Sequence, residues 1–339
     1  MQTHAFAVHE PSGNVEVHSR SSIGTPGITL PTAPGSPAFT TTVPREFVHR
    51  AAVAEVLLTG WTAVQEREEE PDAFVVRAQW PRGHCLFAQA GGYQDPMLLI
   101  ESVRQIGALL AHAEYGVPFG HQFLLRDLSF TAVPDLFRAT PTPTEVELHT
   151  CCREVTRRGG NLTGMRYEVR VEVAGVPLAT ASAAFTCIAP NVYRRLRKGR
   201  PTGADRAAGA PLDPATVGRS GAEHVVLTDD GGAAAGRGSW GLRIDSTHPI
   251  FFDHPVDHVP GMVLLEAARQ SAYAATGRPD ALITGLSSTF TNYAELDAPC
   301  RVEAVTGASA AGETPVQITG VQGGRSLFTA GITLTTPTR

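Results

Sequence analysis

One polar triplet occurs twice in this chain, each time inside an apolar stretch. Met97, Glu101, Arg104 and Gln105 recur as Met262, Glu266, Arg269 and Gln270, every pair displaced by the same 165 positions. Each copy is preceded by a His-x-x-Phe (His84 to Phe87, His248 to Phe251) and followed by a Phe-Thr (Phe130-Thr131, Phe290-Thr291). Alternating, β-branched runs come next: 145–155, 163–173 and 177–188 in the first half, and 300–307, 315–321 and 325–334 in the second. Ala174-Gly175 and Gly323-Gly324 read as the hairpin turns. A repeat this long means duplicated domains rather than a solenoid. Each half reads as short strands, one long helix and a meander of strands, an α+β plan.

The helix of the first copy is expected from Pro96 to about residue 115, with Asp95 as N-cap and Pro96 at the first helical position. Met97, Leu98, Leu99, Ile100, Val103, Ile106, Leu109 and Leu110 cover most of its circumference, so the helix is expected to be buried. Glu101, Arg104 and Gln105 nevertheless share one face, being three and four positions apart. A buried carboxylate and guanidinium cost several kcal/mol unless paired and hydrogen-bonded. The residues alone leave two readings open, a structural ion pair kept in both copies or a functional site.

Composition sets the frame. Segment 1–43 is rich in Ser, Thr, Gly and Pro and reads as a loosely packed extension. Segment 193–221 opens with Arg194, Arg195, Arg197, Lys198 and Arg200, then turns Gly/Ala/Pro-rich, and reads as a linker. The two folded units are then 44–192 and 222–339. With 42% hydrophobic residues, 18% charged residues and a net charge of −5, nothing pulls the chain toward nucleic acid or an anionic membrane. The first 20 residues carry no secretion pattern, no apolar run is long enough to span a bilayer, and the five cysteines lack metal-ligand spacing. A cytoplasmic, metal-free protein that needs no cofactor is expected. Asp229-Asp230-Gly231-Gly232 reads as a turn, and Cys85 beside His84 is not a nucleophile pair, since neighbours on a strand face opposite ways.

Two resemblances add to this. The stretch Pro249-Ile250-Phe251-Phe252-Asp253-His254-Pro255, followed by Pro260-Gly261-Met262 and the Glu266–Gln270 helix, resembles the active-site region of hotdog-fold hydroxyacyl-carrier-protein dehydratases, with a shorter spacing between His254 and Glu266. Over a larger span, from about residue 48 to 335, the chain resembles the AfsA (A-factor biosynthesis) family of actinomycete butyrolactone- and butenolide-signal synthases. The motifs are residues 49–61, Ala78-Gln79-Trp80-Pro81-Arg82-Gly83-His84, Arg104-Gln105 with 111–118, and 253–262. That resemblance implies a tandem (double) hotdog, each half a curved antiparallel sheet wrapped around one long central helix. It also implies an acyltransferase: a β-ketoacyl group leaves its acyl-carrier-protein (or coenzyme A) thioester for a hydroxyl of dihydroxyacetone phosphate. The phosphorylated keto-ester formed is the precursor of a γ-butyrolactone or butenolide signal. A fused pseudo-dimer could act as a monomer or as a homodimer.

The hotdog resemblance implies that the loop His of one unit meets the helix carboxylate of the other. Aligning the two His-x-x-Phe motifs puts Ala90 where His254 stands, so one composite site, His254 with Glu101, is expected to be intact. Glu101 or His254 is the expected base for the hydroxyl, and amides near Gly261 the expected donors to the thioester oxygen. Arg269, with Arg104, is the expected anion holder, with Gln105 and Gln270 orienting and Glu266 facing the relic twin. His248 and His258 are expected to be structural. The basic run Arg194–Arg200 could face an acidic carrier protein or simply solvent. The competing functions are a hotdog dehydratase or thioesterase, and a non-catalytic acyl-ligand binder. The duplicated Arg is the feature that a dehydratase helix does not demand.

Overall fold

A computed structural model describes residues 40–64, 72–200, 208–234 and 236–337. Most of the expected extension, residues 1–39, lies outside them, as do 201–207 of the expected linker. Residues Phe39–Arg339 form one compact unit.

The first half contains β1 (Leu58–Ala63), β2 (Ala73–Trp80), α1 (Met97–Ala113), β3 (Gln122–Ala132), β4 (Thr144–Arg158), β5 (Asn161–Val173) and β6 (Val176–Ile188). A short helix α2 (Pro190–Leu196) follows. The second half contains β7 (Gly232–Ala234), β8 (Arg237–Gly241), α3 (Gly261–Thr276), β9 (Leu282–Phe290), β10 (Cys300–Thr306), β11 (Glu313–Gln322) and β12 (Arg325–Thr335). The strands make a single 12-stranded sheet in the order β1-β2-β4-β5-β6-β3-β9-β12-β11-β10-β8-β7. Read outward from its centre, that order is the same in both halves, which is the double hotdog that the family resemblance implies.

The seam is β3 against β9, antiparallel from Asp127 opposite Thr289 to Thr131 opposite Gly285. Ser288 Oγ reinforces it by donating to Leu128 O at 2.8 Å, both residues being buried. The expected turns are two-residue hairpin loops with positive φ: Ala174 and Gly175 at 50° and 76°, Gly323 and Gly324 at 57° and 75°. Gly159-Gly160 makes a third between β4 and β5.

Helix α1 begins as the sequence indicates. Asp95 Oδ1 accepts the Met97 amide at 2.9 Å, and Pro96 already has helical backbone angles. Apart from Arg104 and Ala113, every residue of α1 is buried. Its polar groups are matched: Trp80 Nε1 donates to Ser102 Oγ at 3.0 Å, and Tyr167 Oη to Val103 O at 2.7 Å. Gly107 lets the Tyr167 ring come this close, because a Cβ there would lie 2.9 Å from Tyr167 Oη.

The described part of the expected linker is not a solvated spacer. Arg197 is buried, donating to Asp257 Oδ2 at 3.1 Å and to both Glu295 oxygens at 2.8 and 2.7 Å, with its guanidinium 4.2 Å from the Tyr293 ring centroid. Tyr193 Oη adds a 2.6 Å bond to Asp257. The carboxylates lie 60 and more positions away in sequence, so local composition cannot show them. Arg194, Arg195 and Lys198 remain exposed.

Because the sheet runs through both halves, they are expected to unfold together. Calorimetry should give one cooperative transition, and two well-separated transitions would contradict this reading.

Candidate functional site

The two polar triplets build two matched clusters. In the first, Glu101 Oε1 accepts from Arg50 Nη2 at 2.6 Å, Arg104 Nη2 at 2.6 Å and Gln105 Nε2 at 2.7 Å, and Arg104 Nε reaches Oε2 at 2.8 Å. Gln105 also bonds the strand-entry backbone, donating to Glu55 O and accepting from Leu57 N. In the second, Glu266 Oε1 accepts from Arg219 Nε at 2.9 Å, Arg269 Nη2 at 2.8 Å and Gln270 Nε2 at 2.5 Å. Gln270 donates to His224 O and accepts from Val226 N. Each first arginine also reaches across the seam between halves, Arg50 Nη1 to Ile250 O at 3.0 Å and Arg219 Nη1 to Leu86 O.

Arg50 and Arg219 were not singled out from the sequence. They stand 169 positions apart rather than 165, as do the short 3-10 turns before them, Arg45–Val48 and Pro214–Val217. Shifting the alignment by four residues upstream of the helices is the signal that finds them. With two guanidinium groups on each carboxylate, the charges are compensated. Burial alone would raise both carboxyl groups, but Arg104 and Arg50 around Glu101, and Arg219 and Arg269 around Glu266, hold each at about 2.

Glu101, the expected base, is 1% exposed and accepts from three side chains, Arg104 among them. Arg269 does not join Arg104. It is buried against Glu266, with Nη1 3.4 Å from Asp95 Oδ2 and its guanidinium 5.4 Å from the Tyr273 ring centroid. Gln105, Glu266 and Gln270 are likewise fully buried.

The two clusters differ in access. A cavity of about 690 Å³ opens between the halves onto the first one. Arg50, Arg104, Ala108, His254 and Gly261 line it, with an apolar wall that includes Phe123, Leu125, Phe185, Met262 and Phe290. The structure thus brings Arg104, His254 and Gly261 together above Glu101 and Gln105. A larger depression of about 920 Å³ lies over the strands near His149, Cys151 and Glu168, and neither cluster lines it.

Two paired positions and one loop distinguish the open cluster from the closed one. One turn beyond Arg104 the helix carries Ala108, whereas one turn beyond Arg269 it carries Tyr273, whose ring lies against the guanidinium. At the helix start, Asp95 caps α1 and contacts both Arg219 and Arg269 at 3.4 Å. Its counterpart Pro260 leaves α3 without a side-chain cap, and Gly261 and Met262 at that uncapped start line the cavity. At Gly261 a Cβ would meet only Leu125 and Phe290 at 3.7 and 3.9 Å, so the glycine is not sterically forced.

The third difference is the loop. His254, whose side chain is 47% exposed, holds Asp253 Oδ1 through Nδ1 at 2.5 Å. Asp253 is fixed by the Ala51 amide at 2.9 Å and lies 3.8 Å from Arg50. A carboxylate on Nδ1 sets the tautomer that leaves Nε2 as acceptor. Asp253 was not named as a site residue, although it stands beside His254 in sequence. Arg126, on the β-bulge of β3, is a further cation at the cavity edge. His84 and His248 are structural: each Nδ1 accepts two backbone amides, from Leu86 and Phe87 or from Ile250 and Phe251. His258 also lines the cavity and is held by Asp257 at 2.7 Å.

The clusters predict acid sensitivity. Glu101 and Glu266 titrate near 2 in the folded chain against 4.5 ordinarily, so the unfolded chain takes up their protons first as pH falls. The stability they contribute is present above pH 4.5 and drains away toward pH 2. Melting temperature should fall across that window, less steeply in Glu266→Gln. A melting temperature unchanged down to pH 2.5 would contradict it.

The chain matches the A-factor biosynthesis hotdog domain (AfsA) twice, over residues 32–189 and 202–338. The 2-oxo-3-(phosphooxy)propyl 3-oxoalkanoate synthase of Streptomyces virginiae is 47% identical over 292 residues, covering 85% of this chain and 96% of that protein. The protein of the same name from Streptomyces coelicolor is 38% identical over 290 residues, covering 84% of this chain and 89% of its own length. Among solved structures, the 12:0-ACP thioesterase from Umbellularia californica aligns with a TM-score of 0.46 at 12% identity, over 77% of this chain and 93% of that one. The chain belongs to the AfsA family of A-factor biosynthesis hotdog proteins.

Proposed function

We propose that the chain is an acyltransferase that moves a β-ketoacyl group from a thioester onto a hydroxyl of dihydroxyacetone phosphate, the reaction named for its Streptomyces relatives. The product is the phosphorylated keto-ester that precedes a butyrolactone or butenolide signal. The observation that carries this reading in the site itself is Arg104. Its Nε and Nη2 are held by Glu101, while Nη1 has no hydrogen-bond partner among the described residues and the side chain borders the cavity. A guanidinium fixed along one edge and open along the other is suited to a phosphate oxygen. A thioesterase, whose second substrate is water, has no use for it.

The rest of the cavity fits the other partner. The wall of Phe123, Leu125, Phe185 and Phe290 suits an acyl chain. The open start of α3 supplies amides and a positive helix end for the thioester oxygen as it gains charge. His254 stands at the exposed side, where a carrier-protein or coenzyme A thiol arm would enter and leave. The second cluster serves as a structural tie.

The direct test is to mix the purified chain with a β-ketoacyl thioester and dihydroxyacetone phosphate and follow products by mass spectrometry. The phosphorylated ester is expected, and thioester hydrolysis indifferent to dihydroxyacetone phosphate would sink the reading. Arg104→Lys keeps the charge but loses the fork, and should raise KM for dihydroxyacetone phosphate about tenfold, roughly 1.4 kcal/mol. Glu266→Gln should lower the melting temperature while leaving turnover of the folded fraction within about twofold, since only the first cluster borders the cavity.

A further inference from the structure

His49 occupies a backbone position that its repeat partner fills with glycine. The turns Arg45–Val48 and Pro214–Val217 both end on a left-handed residue, His49 at φ 54°, ψ 49° and Gly218 at φ 65°, ψ 35°. Glycine adopts that conformation freely, whereas a residue with a Cβ is disfavoured in it. The first half nevertheless carries an imidazole there, and the ring lines the cavity beside Arg50 and Arg104.

The hydrogen bonds fix which nitrogen faces a substrate. His112 Nδ1 lies 2.6 Å from Val117 O, and a carbonyl only accepts, so His112 carries its proton on Nδ1. Its Nε2 is then an acceptor, 2.7 Å from His49 Nε2, which must donate. That leaves the lone pair of neutral His49 on Nδ1, which has no partner among the described residues. Phe123, edge-on at 4.7 Å between ring centroids, helps to hold the ring in place. Counting 165 positions from His112 leads to Gly277, so the closed half lacks both imidazoles.

Burial, then His112, Arg104 and His254 in turn, push the His49 imidazolium down to about 3, so the ring meets substrate neutral. A phosphate dianion placed on Arg104, as the proposed function has it, would offset the Arg104 contribution to this shift. Water arriving without the phosphate gains no such help, which favours transfer over hydrolysis.

We propose that His49 Nδ1 is the base that takes the proton of the acyl-accepting hydroxyl, with His112 as its positioning residue. This rests on the ester-forming reading above. The O–H bond breaks as its proton passes to His49, and the oxygen bonds to the thioester carbonyl carbon. The C–S bond then breaks, and the thiolate takes a solvent proton relayed at the cavity mouth by His254. Exchange with solvent returns both rings to their starting states, so the net change is alcohol plus thioester to ester plus thiol.

The test compares variants of the full chain on two β-ketoacyl thioesters, one alkyl and one aryl, with dihydroxyacetone phosphate. His49→Gly keeps the turn, as Gly218 does, and its melting temperature reports folding. It should lose on the order of 100-fold or more in ester formation from both thioesters, with partial recovery on adding imidazole. His254→Gln should be slow with the alkyl thioester and recover with the aryl one, whose thiolate leaves without a proton. His112→Gln should lower kcat and leave KM for dihydroxyacetone phosphate unchanged. A folded His49→Gly chain that forms ester within twofold of the parent rate overturns the assignment to His49. Failure of the parent chain itself to form the ester overturns the reading beneath it.

Discussion

A carboxylate taken out of water on a buried helix needs compensation from more than that helix. Glu101 and Glu266 are both in that position, and each draws one arginine from its own helix and one from the turn before the first strand of its half. The second arginine then bonds a backbone carbonyl of the opposite half. Helix, strand entry and partner half are thereby locked to one point charge. Removing one member of such a group leaves the others buried and uncompensated, which costs roughly 3–5 kcal/mol. The repeated polar triplet is therefore a structural device in both copies, and one copy of it also borders a cavity.

What distinguishes the copies is small. Ala108 leaves Arg104 open to the cavity where Tyr273 covers Arg269. Pro260 leaves the start of α3 uncapped where Asp95 caps α1 and neutralises the opposing arginines. A matched ion-pair core thus supports an open face on one side and a sealed one on the other.

Much of this was legible in the sequence. The meander strands and the buried α1 follow from alternation, turn residues and the Asp95-Pro96 start, all local signals. An inequality of the halves was expected from Ala90 against His254. The sequence could not show that Glu101 is fully engaged or that Arg269 is sealed, because the groups responsible, Arg50 and Asp95, approach from distant segments. Arg50 and Arg219 escaped because the repeat changes its spacing between the turn and the helix. Arg197 looked like linker charge because its acids, Asp257 and Glu295, belong to the other half.

The continuous seam between β3 and β9 has a consequence for inheritance. In a symmetric assembly of identical subunits, any substitution appears at both sites at once, so a residue that seals one site seals its twin. Fusion of the two copies into one chain removes that coupling. Position 273 can carry a tyrosine while position 108 keeps an alanine, and one lobe can serve as ballast for the other. The outcome is one open cluster per polypeptide, set by the gene rather than by assembly.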